Sequence, residues 1–159
     1  AEIIAEDLGG NTPEVERLVK DTGFPNMKVL QFAFDSDLDN PFLPKNYDRN
    51  CVCYTGTHDN DTTRGWFEKL SEHQQNMFSH LVPPDKSGSA VLSLISFAMK
   101  SKARMVIIPM QDYLQLDSCD RLNTPGVPFG NWEWRLTPND LTDELSDEIK
   151  RLSSGRNVD

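Results

Sequence analysis

The chain has 159 residues, a formal net charge of −9, 37% hydrophobic residues and 26% charged residues. This composition is typical of one soluble globular domain with a real core, and no apolar run approaches the length of a membrane span. The acidic balance argues against nucleic acid or an anionic membrane as the main partner, and it is compatible with a neutral substrate such as a sugar. Because the first residue is Ala1 rather than Met, we expect the sequence to be part of a longer protein.

Short apolar runs alternate with helical stretches along the chain. Four runs predict buried strands, at residues 2–5, 29–34, 51–54 and 103–108. Helices are predicted from Thr12-Pro13 to Gly23, from Thr62 to Leu70, from Ser71 to Leu81, from Ser87 or Ser89 through Met99, around 113–116, and from Pro138 to Leu152.

This alternation predicts an α/β fold of right-handed β/α units with parallel strands. Four such units fit a small open sheet or half of a (β/α)8 barrel, whose full size is roughly 250 residues. No Gly-rich phosphate loop follows any of the predicted strands, so a nucleotide-binding open sheet is the weaker choice.

The polar stretch at residues 54–63, YTGTHDNDTT, is the strongest functional signal. It follows the strand at 51–54 directly, and the carboxyl ends of parallel strands are where ligands bind. Each predicted strand leads to a carboxylate: Glu6, Asp35, Asp59 and Asp112. We therefore interpret this edge as one wall of an active site, although carboxylates that begin loops are as often helix caps.

Glu6 and Asp59 are the residue types that glycoside cleavage requires, a proton donor and a negative charge near an oxocarbenium-like transition state. Asp7 could keep Glu6 protonated by like-charge repulsion. His58 is a candidate donor to a sugar hydroxyl or a structural histidine. A metal site built from His58, Asp59 and Asp61 is less favoured, because adjacent residues of an extended segment point in opposite directions.

The tryptophans and the cysteines can also be interpreted from the sequence. Trp132 and Trp134 are either sugar-stacking residues or core residues on one strand face. The three cysteines, Cys51, Cys53 and Cys119, have no scaffold spacing and indicate a reducing compartment.

Five segments resemble the 4-α-glucanotransferases, also called amylomaltases or disproportionating enzymes. They are residues 5–9 (AEDLG), 23–32 (GFPNMKVLQF), 54–62 (YTGTHDNDT), 123–126 (NTPG) and 131–135 (NWEWR). The resemblance covers nearly the whole chain in order. It implies a TIM-type (β/α)8 barrel that transfers α-1,4-glucan segments by a retaining mechanism.

By this resemblance Glu6 is the general acid/base, Asp59 is the carboxylate that stabilises the transition state, and His58 binds substrate beside it. Asp35 and Asn123 are expected to line the same cleft. The implied partners are α-1,4-glucans and maltooligosaccharides, with glucose or a maltodextrin as acceptor. No cofactor and no metal are expected, and the implied location is the cytoplasm, or the plastid in a plant.

The sequence departs from the family at one essential point, because the Arg-x-Asp-His stretch that carries the family's nucleophile is not present. We therefore expect residues 1–152 to be the C-terminal half of the barrel, with four parallel strands, followed by a flexible tail at 153–159. Alone, this fragment is expected to be inactive. The alternatives are a non-catalytic glucan-binding or regulatory remnant of that barrel and a metal-dependent hydrolase using His58, Asp59 and Asp61.

Overall fold

The computed structural model describes residues 3–9, 12–35 and 37–156. Glu2 of the predicted first strand and residues 157–159 of the predicted tail lie outside these ranges. None of the helices within them combines the length and the apolar content that crossing a membrane requires. The described α-helices are α1 (Pro13–Thr22), α2 (Thr63–Glu68), α3 (Glu72–Leu81), α4 (Ala90–Met99), α5 (Met110–Tyr113) and α6 (Asp143–Ser153).

The centre of the fold is a parallel sheet in the order β1-β2-β3, formed by β1 (Asn26–Val29), β2 (Cys51–Tyr54) and β3 (Met105–Ile107). Val29 pairs with Tyr54, and Tyr54 pairs with Ile107, so the carboxyl ends of the strands meet at one edge. The α/β class and the parallel pairing predicted from the sequence are confirmed.

The described residues hold three strands where four were predicted. The first apolar run contributes one parallel bridge, from Ala5 to Asn26, in which the Ala5 N–H donates to the Pro25 carbonyl at 2.9 Å. The second run was predicted as a strand over 29–34, but β1 ends at Val29 and a 3-10 turn follows at Leu30–Phe32. Leu30 and Phe34 are fully buried in the core, so this run is apolar because it packs under the helices.

Local capping signals set several helix ends. The side chains and backbone of Ser71 and Gln74 form a capping box at the start of α3. Ser89, one of the two predicted starts, caps α4. Gly23 ends α1 with a φ of 67°, a left-handed conformation that glycine adopts without steric cost. The short helix predicted around 113–116 lies at 110–113 instead, and a 3-10 turn at Pro138–Asp140 precedes α6.

The helices pack against one face of the sheet, and at β3 the opposite face is open to solvent. Val106 of β3 packs against the main core, whose fully buried members include Leu94 of α4. Its neighbours Met105 and Ile107 point the other way and are 41% and 39% exposed. Two apolar side chains of β3 are therefore in contact with solvent on the face opposite the helices.

Candidate active site

A cavity of about 420 Å³ lies at the carboxyl edge of the sheet. Met27, Tyr54 and Ile107, one from each strand, line it together with the loop at residues 56–62, of which Asp59 alone is not among the lining residues. This edge is where parallel α/β folds bind ligands. A second cavity of about 750 Å³ lies beside residues that precede β2 and β3, and its lining, which includes Arg49, Lys100, Lys102 and Arg104, holds none of the predicted site residues.

One buried carboxylate fixes both ends of the loop at 56–62, which we call the site loop. Thr55, just before the loop, donates its hydroxyl to Asp112 Oδ2 at 2.5 Å. Thr63, just after it, donates its N–H to Asp112 Oδ1 at 2.8 Å and its hydroxyl to Oδ2 at 2.7 Å. All three residues are essentially inaccessible to solvent. The loop between them is therefore anchored at both ends to α5.

Burial raises the pKa of Asp112, and the hydrogen bonds from Thr55 and Thr63 oppose that shift. A buried carboxylate is tolerated where donors surround it, and these two residues supply three. The sequence identified Asp112 only as a carboxylate at a strand end, because its partners are 57 and 49 residues away along the chain.

The site loop brings together three of the predicted site residues. Asn123 donates its amide N–H to Asp59 Oδ1 at 2.6 Å. His58 Nε2 lies 3.4 Å from the same oxygen. Arg121, which the sequence reasoning did not select, donates to the Asp59 carbonyl at 2.9 Å. Since Thr62 is the N-cap of α2, the helix-cap explanation does not apply to Asp59.

Glu6 is exposed and follows the Ala5 bridge directly. The pKa of Tyr54, which lines the cavity, is raised first by burial and then by the negative charge of Glu6. Glu6 therefore lies close enough to the end of β2 for its charge to act on a cavity residue.

Asp7 has contacts that differ from the role predicted for it. Its carboxylate accepts hydrogen bonds from the Asn26 side chain at 2.9 Å and from the Met27 N–H at 3.1 Å. These bonds fasten the segment that carries Glu6 to β1. The Asp7 side chain therefore points towards the sheet, and it supports the position of Glu6.

Asp35 is exposed and accepts a hydrogen bond from the Asn40 side chain at 3.0 Å. It is absent from the residues that line the 420 Å³ cavity. Asp35 is thus not brought to the cavity or to the residues around Asp59, and Glu6, whose charge acts on Tyr54, is likewise absent from the residues that line the cavity.

The arrangement needed for the metal-dependent alternative is not assembled. Asp61 accepts from Lys69 Nζ at 2.5 Å and from Ser118 Oγ at 2.8 Å. Burial alone would raise the pKa of Asp61, but these hydrogen bonds outweigh it and lower that pKa. Among the described residues, the group whose ligand atoms lie close enough to share an ion is Asp117, Cys119 and Asp120, on the surface, and not His58, Asp59 and Asp61.

Two solved structures with a similar fold are amylomaltases. An amylomaltase from Streptococcus agalactiae in complex with acarbose matches with a TM-score of 0.91 and 33% identity, over 96% of this chain and 31% of that chain. An amylomaltase from Corynebacterium glutamicum shares the fold, with a TM-score of 0.64 and 16% identity over 100% of this chain and 29% of that one. The fold is therefore that of an amylomaltase-like α/β protein.

Comparison with curated proteins identifies the family. The 4-alpha-glucanotransferases of Synechocystis sp. and Thermus thermophilus are 49% and 44% identical over 98% and 95% of the chain. The chloroplastic/amyloplastic enzyme of Solanum tuberosum is 47% identical over 94%. The 4-alpha-glucanotransferase family model matches residues 1–142, and the chain belongs to this family. It spans only 32%, 32% and 26% of the length of these three relatives.

Proposed function

We propose that this chain supplies the acid/base side of the active site of a 4-α-glucanotransferase. The whole protein would transfer α-1,4-glucan segments to glucose or a maltodextrin by a retaining double displacement. The observation that carries the proposal is the cluster of Asp59, His58 and Asn123 beside a cavity at the strand ends, in a chain of this family.

The proposed roles come from the family resemblance, and the positions of the side chains support them. Glu6 is exposed and close to the cavity residue Tyr54, so it is accessible as the acid that protonates the leaving oxygen and later as the base. Asp59, oriented by the Asn123 amide, presents negative charge to a developing oxocarbenium ion and accepts from sugar hydroxyls. His58 and Asn123 bind substrate beside it, and Asp35 lines a more distant part of the cleft.

We further propose that residues 1–152 form the second half of a TIM-type barrel, with 153–159 as a flexible tail. The apolar side chains of Met105 and Ile107 on the open face support this arrangement, because the interior of such a barrel is filled by layers of side chains from all eight strands. The missing strands and the nucleophile would come from the upstream part of the protein.

The test uses the full-length protein that contains this chain, assayed for conversion of maltotriose to glucose and longer maltodextrins. Glu6→Gln cannot donate the proton and is expected to lower transfer about 10²–10⁴-fold while maltotriose still binds. Glu144→Gln, an exposed change on α6, is the matched control and should transfer normally.

Three outcomes would contradict parts of the proposal. Near-normal transfer by Glu6→Gln would remove Glu6 from the acid/base role. Full-length protein that binds glucans without transferring them would favour the non-catalytic remnant. Turnover by the isolated 159-residue chain at the full-length rate would show that the nucleophile lies within it.

A location in the cytoplasm, or in the plastid of a plant, belongs to the same proposal, and a fluorescent fusion of the full-length protein would test it.

A further inference from the structure

Trp132 is a large aromatic residue that the fold holds in contact with water. The Trp132 side chain is 52% exposed, whereas Trp134, two residues later, is less exposed. Exposed tryptophan beside a polar cleft is a recurrent feature of binding surfaces, because the indole offers a rigid apolar face at low conformational cost. Of the two, Trp132 therefore presents the larger aromatic surface in the described part of the chain.

The backbone of Trp132 has a φ of 64°, in the left-handed region. A bulky residue rarely adopts this conformation, and it persists only where the surroundings impose it. Here the Trp132 N–H donates to the Leu122 carbonyl at 2.7 Å, and its own carbonyl accepts from Arg135 at 2.8 Å. The neighbouring Asn131 side chain links Val127 and Thr124 across the same loop. The loop therefore holds the indole in place against its local preference.

The indole is placed beside the candidate sugar-binding residues. Its ring centroid lies 5.1 Å from that of His58, with the two planes inclined at 38°. His58 in turn lies 3.4 Å from the Asp59 carboxylate, which Asn123 also contacts. An apolar aromatic surface thus adjoins a group of hydrogen-bonding side chains.

A pyranose ring has the complementary surface, with hydroxyls around its edge and C–H groups on its faces. Polar groups fix the orientation of such a ligand, and aromatic surface supplies the apolar contact. We infer that Trp132 is a platform on which one α-1,4-linked glucose unit packs, next to the unit held by His58 and Asp59. This inference rests on the proposed function and adds a specific sugar-binding position to it.

The test measures the dissociation constants of maltotriose and maltopentaose, with kcat, for the full-length protein and three variants. Trp132→Ala is expected to weaken binding about tenfold, the equivalent of one aromatic contact of about 1.4 kcal/mol, and Trp132→Phe should restore most of it. Phe129→Ala is the matched control, since Phe129 is 85% exposed on the same loop, and it should bind normally.

Trp132→Gly separates binding from a structural role. Glycine accepts a φ of 64° without strain, so this variant should have a Tm no lower than that of Trp132→Ala while binding glucans as weakly. A Trp132→Ala variant with unchanged dissociation constants and a reduced kcat would overturn the inference, because the indole would then only orient His58. Equal weakening by Phe129→Ala would overturn it as well. If the wild-type protein bound maltopentaose through Trp132 but transferred nothing, the proposed function would fail and this inference would stand.

Discussion

Replacing Asp112 with asparagine is expected to release both ends of the site loop at once. The asparagine oxygen can still accept from the Thr63 N–H, but its amide places a donor where Oδ2 now accepts from the Thr55 and Thr63 hydroxyls. Each hydrogen bond to a charged group contributes about 1.5–3 kcal/mol. Part of that loss is recovered because the variant no longer buries a charge, whose cost is visible as the raised pKa of Asp112. The net expectation is a local destabilisation of about 2–4 kcal/mol.

The assay is amide hydrogen exchange of the full-length protein, read by mass spectrometry on peptides that cover residues 55–63. A destabilisation of about 2 kcal/mol corresponds to roughly 30-fold faster exchange in these peptides. Peptides from α3 should exchange as in the wild type, since α3 makes no hydrogen bond to Asp112. Asp117→Asn, a change of an exposed carboxylate nearby, is the control. Unchanged exchange over 55–63 in Asp112→Asn would refute the idea that this carboxylate holds the site loop.

Three further predictions concern single side chains. In the full-length protein, Asp59→Asn should weaken binding of a transition-state-like sugar inhibitor more than binding of maltose, because the charge acts mainly on the transition state; equal losses would indicate a merely structural Asp59. Gly65→Ala should lower the Tm by an amount equivalent to about 1–3 kcal/mol, since its Cβ would overlap Ser118 Oγ and meet the Ser118 backbone nitrogen at 3.0 Å; an unchanged Tm would contradict the close packing of α2 here. Burial opposes ionisation of Asp85, but hydrogen bonds from Ser87 and from Arg151, 2.9 Å away, outweigh it and lower the pKa of Asp85 to about 2. The ionised Asp85 therefore stabilises the fold above its unfolded pKa of about 3.9, and this contribution is lost as the pH falls towards 2. Asp85→Asn should flatten the fall in Tm over that pH range. An unaltered slope of Tm against pH would argue against the ion pair.

Elements defined by local signals were predictable from the sequence. The run at 51–54 is apolar, and the serines and the threonine before α2, α3 and α4 are N-caps. The grouping of His58, Asp59 and Asn123 followed from the family resemblance, because Asn123 is 64 residues from Asp59 and no periodicity links them.

Features that depend on long-range contacts were not predictable. The run at 29–34 has strand composition, yet β1 ends at Val29 and a 3-10 turn follows, in which the Gln31 side chain donates to the Asp61 carbonyl at 2.8 Å. Asp7 looked like a neighbour that would act on Glu6, but its partners lie in β1. In both cases a side chain found a partner that the local pattern does not contain.

The distance along the chain between Asp112 and its partners has a consequence for synthesis. Thr55 and Thr63 leave the ribosome 57 and 49 residues before the carboxylate that binds them. At about 5–20 residues per second, the site loop exists for several seconds with neither end anchored, and α4 likewise waits for α5 and α6, which pack against it from later in the chain. The order of translation therefore means that the site loop can become fixed only after the carboxylate of α5 has been made.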